Sequence, residues 1–203
     1  MVFLSYFAKN GYFLLTKIEI LIESGKYEQA LNEANRSLEI IPNDIDLLYA
    51  RSLIAGYLDN IALAEKDLST ILSLNPNNAN ALNALGFTLS QLPDRREDAK
   101  NYLERAIKIA PNNPNYMDSM GWLLYQMGKI DEAISMLEKA YGISQDIDIA
   151  IHYSQALWSK GKKKQAVSIL NKALAIEPNN KAVKEALNHF KVNEVNDVGA
   201  NKK

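Results

Sequence analysis

Residues 116–141 read YMDSMGWLLYQMGKIDEAISMLEKAY. Met117, Met120, Leu124 and Met127 recur at helical spacing, Gly128 interrupts them, and Ala133, Leu137 and Ala140 resume the pattern. The stretch predicts two amphipathic helices joined by a tight turn. Inside the first, Gly121 costs about 1 kcal/mol relative to alanine, and the next position carries Trp122. A helix that accepts this pair needs a reason at each position.

The same pattern returns on both sides of the stretch. Small residues ahead of an apolar run stand at Ala30, Ala64, Ala99, Ala133 and Ala166, spaced by 34, 35, 34 and 33 residues. Pro42, Pro76, Pro111 and Pro178 each follow one of these alanines by 12 residues, and Gln145 takes that place in the fourth copy. Gly25, Gly128 and Gly161 mark the turn within a copy, with Asp59 and Pro93 in the slot elsewhere. Each proline ends a helix because it lacks an N–H and clashes with the preceding turn. The strings PNNAN and PNNPN that follow two of them supply N-caps for the next helix.

These residues resemble the tetratricopeptide repeat family over about 170 of the 203 residues. The resemblance implies an all-α fold, a right-handed superhelical solenoid of antiparallel helix pairs. The units fall at 11–44, 45–78, 79–113, 114–146 and 147–180, followed by a capping helix over 181–192 and a disordered tail over 193–203. Residues 1–10, with Phe3, Leu4 and Phe7, are expected to seal the first unit or to be the stub of a preceding repeat. Neighbouring pairs complete one another's core, so stability is a sum of unit and interface terms. Gly121 occupies the slot of closest helix approach, shared with Gly86, Ser52 and Ser154, whereas the first unit departs from the pattern with Ile18 there.

The resemblance also implies that the first helix of each unit lines a concave groove. Its groove positions hold Tyr49 and Tyr57 in the second unit, Asn83 and Phe87 in the third, and Asp118, Trp122 and Tyr125 in the fourth. In the fifth they hold His152, Gln155 and Trp158. Large aromatics act as interface anchors and amides bond a partner's backbone; the alternative is that these rings pack on neighbouring helices and stiffen the stack. None of the groove positions carries Lys or Arg, so the clamp by which some relatives hold a chaperone's C-terminal carboxylate is not expected. An acidic ligand would meet Glu19, Asp46, Asp118 and Asp148, which points to a protein or peptide partner that is apolar or mildly basic.

Composition narrows the function classes. The 23 Lys+Arg against 24 Asp+Glu leave a net charge of −1, which argues against affinity built on phosphate neutralisation. With no cysteine, two histidines and no HExxH or Gly-rich phosphate loop, neither an enzyme, a metal nor a cofactor is expected. The string KGKKKQ, Lys160 to Gln165, reads as a solvated turn. The apolar start MVFLSYFAKNGYFLL has no basic n-region and no cleavage site, so a cytoplasmic location is the default. Units three to five resemble the C-terminal repeats of bacterial envelope proteins that serve as adaptors for proteases, which would place the chain in the periplasm or at the envelope. An RNA-binding helical repeat and a self-assembling homodimer are the alternatives.

Overall fold

The computed structural model describes residues 11–200. The segment 1–10, expected as a cap or repeat stub, and the last three residues of the expected tail lie outside the described residues. Among the described residues every regular element is helical. The first compact unit, ending at Ala110, contains α1 (Gly11–Glu23), α2 (Tyr27–Ile40), α3 (Ile45–Tyr57), α4 (Ile61–Leu74), α5 (Ala79–Ser90) and α6 (Arg96–Ile109). The second, starting at Pro111, contains α7 (Pro114–Gln126), α8 (Ile130–Ile143), α9 (Ile147–Ser159), α10 (Lys163–Ile176) and α11 (Lys181–Ala200). The final helix continues to Ala200, beyond the Val192 expected as its end.

Local chemistry sets these boundaries. Asp44, Asn78, Asn113 and Asp146 cap the first helices, their side-chain oxygens accepting from backbone N–H groups at 2.9–3.4 Å. Four of the five turns within a pair close in a Schellman motif. After α7, for example, Gly128 N donates to Tyr125 O at 3.0 Å and Lys129 N to Leu124 O at 2.9 Å. The motif needs a left-handed residue, and Gly25, Gly128, Gly161 and Asp59 supply φ of 69°, 77°, 82° and 55°. Proline cannot adopt that φ. The third turn is instead a 3₁₀ segment, Pro93–Arg95, which absorbs the extra residue in the spacing of 35 between Ala64 and Ala99.

Alanine builds the seam inside each pair: Ala30, Ala64, Ala99, Ala133 and Ala166 are all fully buried. The opposing slot on the first helix is as tight. A Cβ on Gly121 would lie 2.5 Å from Leu137 Cγ, and one on Gly86 would lie 2.6 Å from Leu103 Cγ and 3.0 Å from the Ala99 carbonyl. The loss of helix propensity at these glycines is offset by a leucine seated against bare backbone. Ser52 and Ser154 fill the same slot, each hydroxyl folded back onto a carbonyl of its own helix at 2.7 and 2.8 Å. The first pair departs as its sequence does, burying Ile18 completely among Leu14, Ala30, Ala34 and Leu47.

In the second unit each first helix packs on its own partner and on the next first helix. α7 therefore lies beside α9, and α9 beside α11. That row of first helices positions the candidate site.

Candidate functional site

Side chains at i, i+4 and i+7 share one face of a helix. On α7 this places Asp118, Trp122 and Tyr125 in one stripe, and on α9 it places Asp148, His152, Gln155 and Ser159 in another. The two stripes join across the helices. His152 Nδ1 lies 3.0 and 2.9 Å from the two carboxylate oxygens of Asp118. The carboxylate holds the proton on Nδ1, where the nitrogen donates, and this fixes the ring's orientation. Trp122 then stacks on His152, ring centroids 4.3 Å apart and planes 21° from parallel, and on Tyr125 at 5.1 Å and 20°. The Tyr125 hydroxyl closes the far end on Ser159 Oγ at 3.1 Å. Trp122, Tyr125 and His152 are half-buried, so the array is both packed and reachable.

The electrostatics of this face are acidic. Asp118 is 92% removed from solvent, with a relative exposure of 8%, and His152 is its hydrogen-bond partner. Asp148 stands one turn before His152, and its pKa is raised, first by loss of solvation, then by the Asp146 charge; His152 lowers it, and Asp118 adds a smaller rise. Gln155, one turn after His152, buries its Oε1 without a hydrogen-bond partner. Among the described residues, no three His, Asp or Glu side chains are arranged to hold a metal ion, and no helix is long and apolar enough to cross a membrane.

The remaining sequence-expected residues separate into two groups. Trp158 stacks face to face on Phe190 of α11, 4.2 Å and 5°, with Lys163 Nζ 5.0 Å from its ring centroid. Its ring therefore holds the C-terminal helix. In the first unit Tyr49, Asn83 and Phe87 are half-buried on α3 and α5, and Asn83 Oδ1 is buried without a partner. Beside them Leu53 and Tyr57 are exposed, Tyr57 stacking on Tyr27 at 4.5 Å.

Ser159, and Phe190 as the partner of Trp158, were not anticipated from sequence. One signal was available for Ser159: both polar links between α7 and α9 join residues 34 apart, Asp118 to His152 and Tyr125 to Ser159. Searching one period away for a complementary side chain recovers both. Phe190 carries no such signal, since its partner lies in a helix that the repeat does not continue.

Comparison with known proteins agrees with this architecture. Sequence profiles of the tetratricopeptide repeat match residues 79–113 and 124–189. A TPR repeat-containing protein of Pseudomonas aeruginosa is 33% identical over 141 residues, 70% of this chain but 24% of that protein. The chain thus spans about a quarter of that relative's length. Among solved structures, a thermophilic TPR protein of Thermus thermophilus superposes with a TM-score of 0.81 at 21% identity, covering 88% of this chain and 97% of that one. A TPR protein with an unusual peptide-binding site superposes with a TM-score of 0.55 at 20% identity, covering 89% and 93%. At these identities the likeness concerns the fold. The 34-residue period, the buried alanine seam and these matches make the chain a member of the tetratricopeptide repeat family.

Proposed function

We propose that this chain is a non-enzymatic interaction scaffold whose first helices, within each unit, take a segment of a partner protein. The observation that carries this is the joined pair of stripes on α7 and α9, which presents Trp122, Tyr125 and His152 half-exposed on one surface. Phe87 stands at the position of Trp122 one repeat earlier and is likewise half-buried. The partner segment is apolar or mildly basic, because Asp118 and Asp148 would repel an acidic one. The absence of Lys and Arg from the groove positions weighs against RNA.

A narrower role, adaptor in a bacterial envelope complex, rests on the resemblance of units three to five alone. Homodimerisation is favoured by a separate feature. The last residue of every second helix, Ile40, Leu74, Ile109, Ile143 and Ile176, is an exposed aliphatic, 43–62% accessible. A concentration series of mass measurements distinguishes a dimer from a monomeric scaffold.

The groove reading is tested by affinity capture from extracts of the source cells, with Trp122→Ala, Phe87→Ala and the double variant compared with the parent. A micromolar complex corresponds to about −8 kcal/mol, and losing one aromatic anchor costs about 2 kcal/mol. Each single variant should weaken binding by at least tenfold. Full retention by a correctly folded double variant would sink the groove reading.

A further inference from the structure

The joined stripes of the second unit hold hydrogen-bond acceptors that the fold leaves partly unfilled. Asp118 is nine-tenths buried, yet both its oxygens share one ring nitrogen of His152. A carboxylate offers about four lone-pair sites, so acceptor capacity is left over in a place that water reaches poorly. Gln155 Oε1, one turn further along α9, is a buried acceptor with no donor. Asp148 and Asp146 add two more carboxylates at the N-terminal end of α9.

We propose that this patch seats the guanidinium of an arginine in the bound partner segment, lying against the Trp122 and His152 rings and donating to the Asp118 and Asp148 carboxylates and the Gln155 carbonyl. The proposal rests on the groove reading above and specifies the chemistry that reading leaves open. Arginine fits because its planar group carries five donors and no acceptor, stacks on aromatic faces, and meets carboxylates in bidentate fashion. An ammonium offers a point charge without the plane, so lysine uses the carboxylates but not the stack. The pKa of Asp148 is raised first by loss of solvation and then by the charge of Asp146, so its carboxylate lacks a full complement of favourable partners in the empty patch. A partner cation supplies one.

The probe is a display library of random 12-residue peptides panned against the full chain, with binders re-panned against Trp122→Ala, Asp118→Asn and Asp148→Asn. Circular dichroism and thermal melting establish that each variant is folded, and Asp148→Asn, at the more accessible of the two carboxylates, guards against a folding defect in Asp118→Asn. The expected result is a set of peptides that require Trp122 and are enriched in arginine at one position. Replacing that arginine by the uncharged isostere citrulline should weaken binding at least tenfold, and Asp118→Asn should shrink the arginine-over-citrulline preference about tenfold. Lysine in its place should bind more weakly than arginine. Peptides that require Trp122 but show no cation preference would overturn the arginine site while leaving the groove reading intact. A panel with no Trp122-dependent peptide would overturn both.

Discussion

One position of the repeat is filled by opposite chemistries along the chain. In the first two repeats it is ionic: Lys17 pairs with Glu33 at 2.7 Å, and one period later Arg51 pairs with Asp67. In the next three, the residues at the position of Lys17 and Arg51 are Leu85, Met120 and Tyr153, each 5% accessible or less. The second of the ion pairs is nearly as buried as those apolar side chains. Asp67 retains 1% of its side-chain accessibility and Arg51 15%; Arg51 bonds both carboxylate oxygens at 2.7 Å and Asn35 Oδ1 at 2.8 Å. The repeat therefore specifies a volume between first and second helix and leaves the chemistry open. A charge there is tolerated when its partner arrives from the opposite helix with the right geometry.

The largest effect should come from breaking the buried pair on one side. Asp67→Ala leaves the Arg51 guanidinium in a site with little access to water, and it should cost about 3–5 kcal/mol. Replacing both members by the residues found in the fourth repeat, Arg51→Met with Asp67→Met, should restore stability to within about 1 kcal/mol of the parent or exceed it. Denaturant melts of Arg51→Met, Asp67→Met and the double variant measure the coupling. A double variant as unstable as Asp67→Ala would mean that the site needs the ions themselves, and the equivalence of the repeats at this position would fail.

Tyr153 sharpens the comparison through pH. Burial pushes its phenol up to about 12, aided by the Glu138 charge and the hydrogen bond it donates to Glu138. The folded state thus holds this proton more tightly than the unfolded chain, whose tyrosines titrate near 10. The corresponding stability is fully present below pH about 10 and is lost as pH rises towards 12. The rise from 10 to about 12 amounts to roughly 2–3 kcal/mol. Burial also raises Tyr116 and Tyr141, so other tyrosines of the second unit add to the same alkaline slope. Tyr153→Phe should flatten the stability profile between pH 10 and 12 by about the stated amount and leave the lower range nearly flat. An unchanged alkaline slope would show that the phenol is not confined as its burial implies.

Periodic features were legible in the sequence because each is imposed by backbone geometry. The alanine seam, the left-handed turn residues and the Asx caps recur since every pair must turn in the same way, and Gly121 and Gly86 follow from the close approach of a leucine. Side chains that answer one another across repeats were harder to see. Asp118, Trp122 and His152 were each recognisable as facing outward from the first helices, but their linkage depends on register between α7 and α9 that only the packed structure supplies. Trp158 illustrates the converse, since its groove position gave no hint that Phe190 covers it. The Arg51–Asp67 pair was missed because two opposite charges 16 residues apart look like ordinary surface residues until the pair of helices closes.

Lys17 offers the smallest effect and the cleanest contrast with Arg51. Its ammonium lies 2.7 Å from Glu33, the same separation as the buried pair, yet 53% of its side chain remains accessible. Distance alone would rank the two interactions as equals; solvent decides otherwise. Water and salt screen an exposed ammonium, and the entropy of holding a long side chain offsets most of what attraction remains. Glu33→Gln, which leaves behind the ammonium whose side chain is 53% accessible, should cost less than about 1 kcal/mol, and that cost should vanish in 1 M salt, where the screening length falls to about 3 Å. The cost of Asp67→Ala should survive the same salt, because it arises from desolvation of an unpaired charge. Equal salt sensitivity in the two variants would mean that burial does not separate them, and the contrast between the first two repeats would collapse into one of geometry alone.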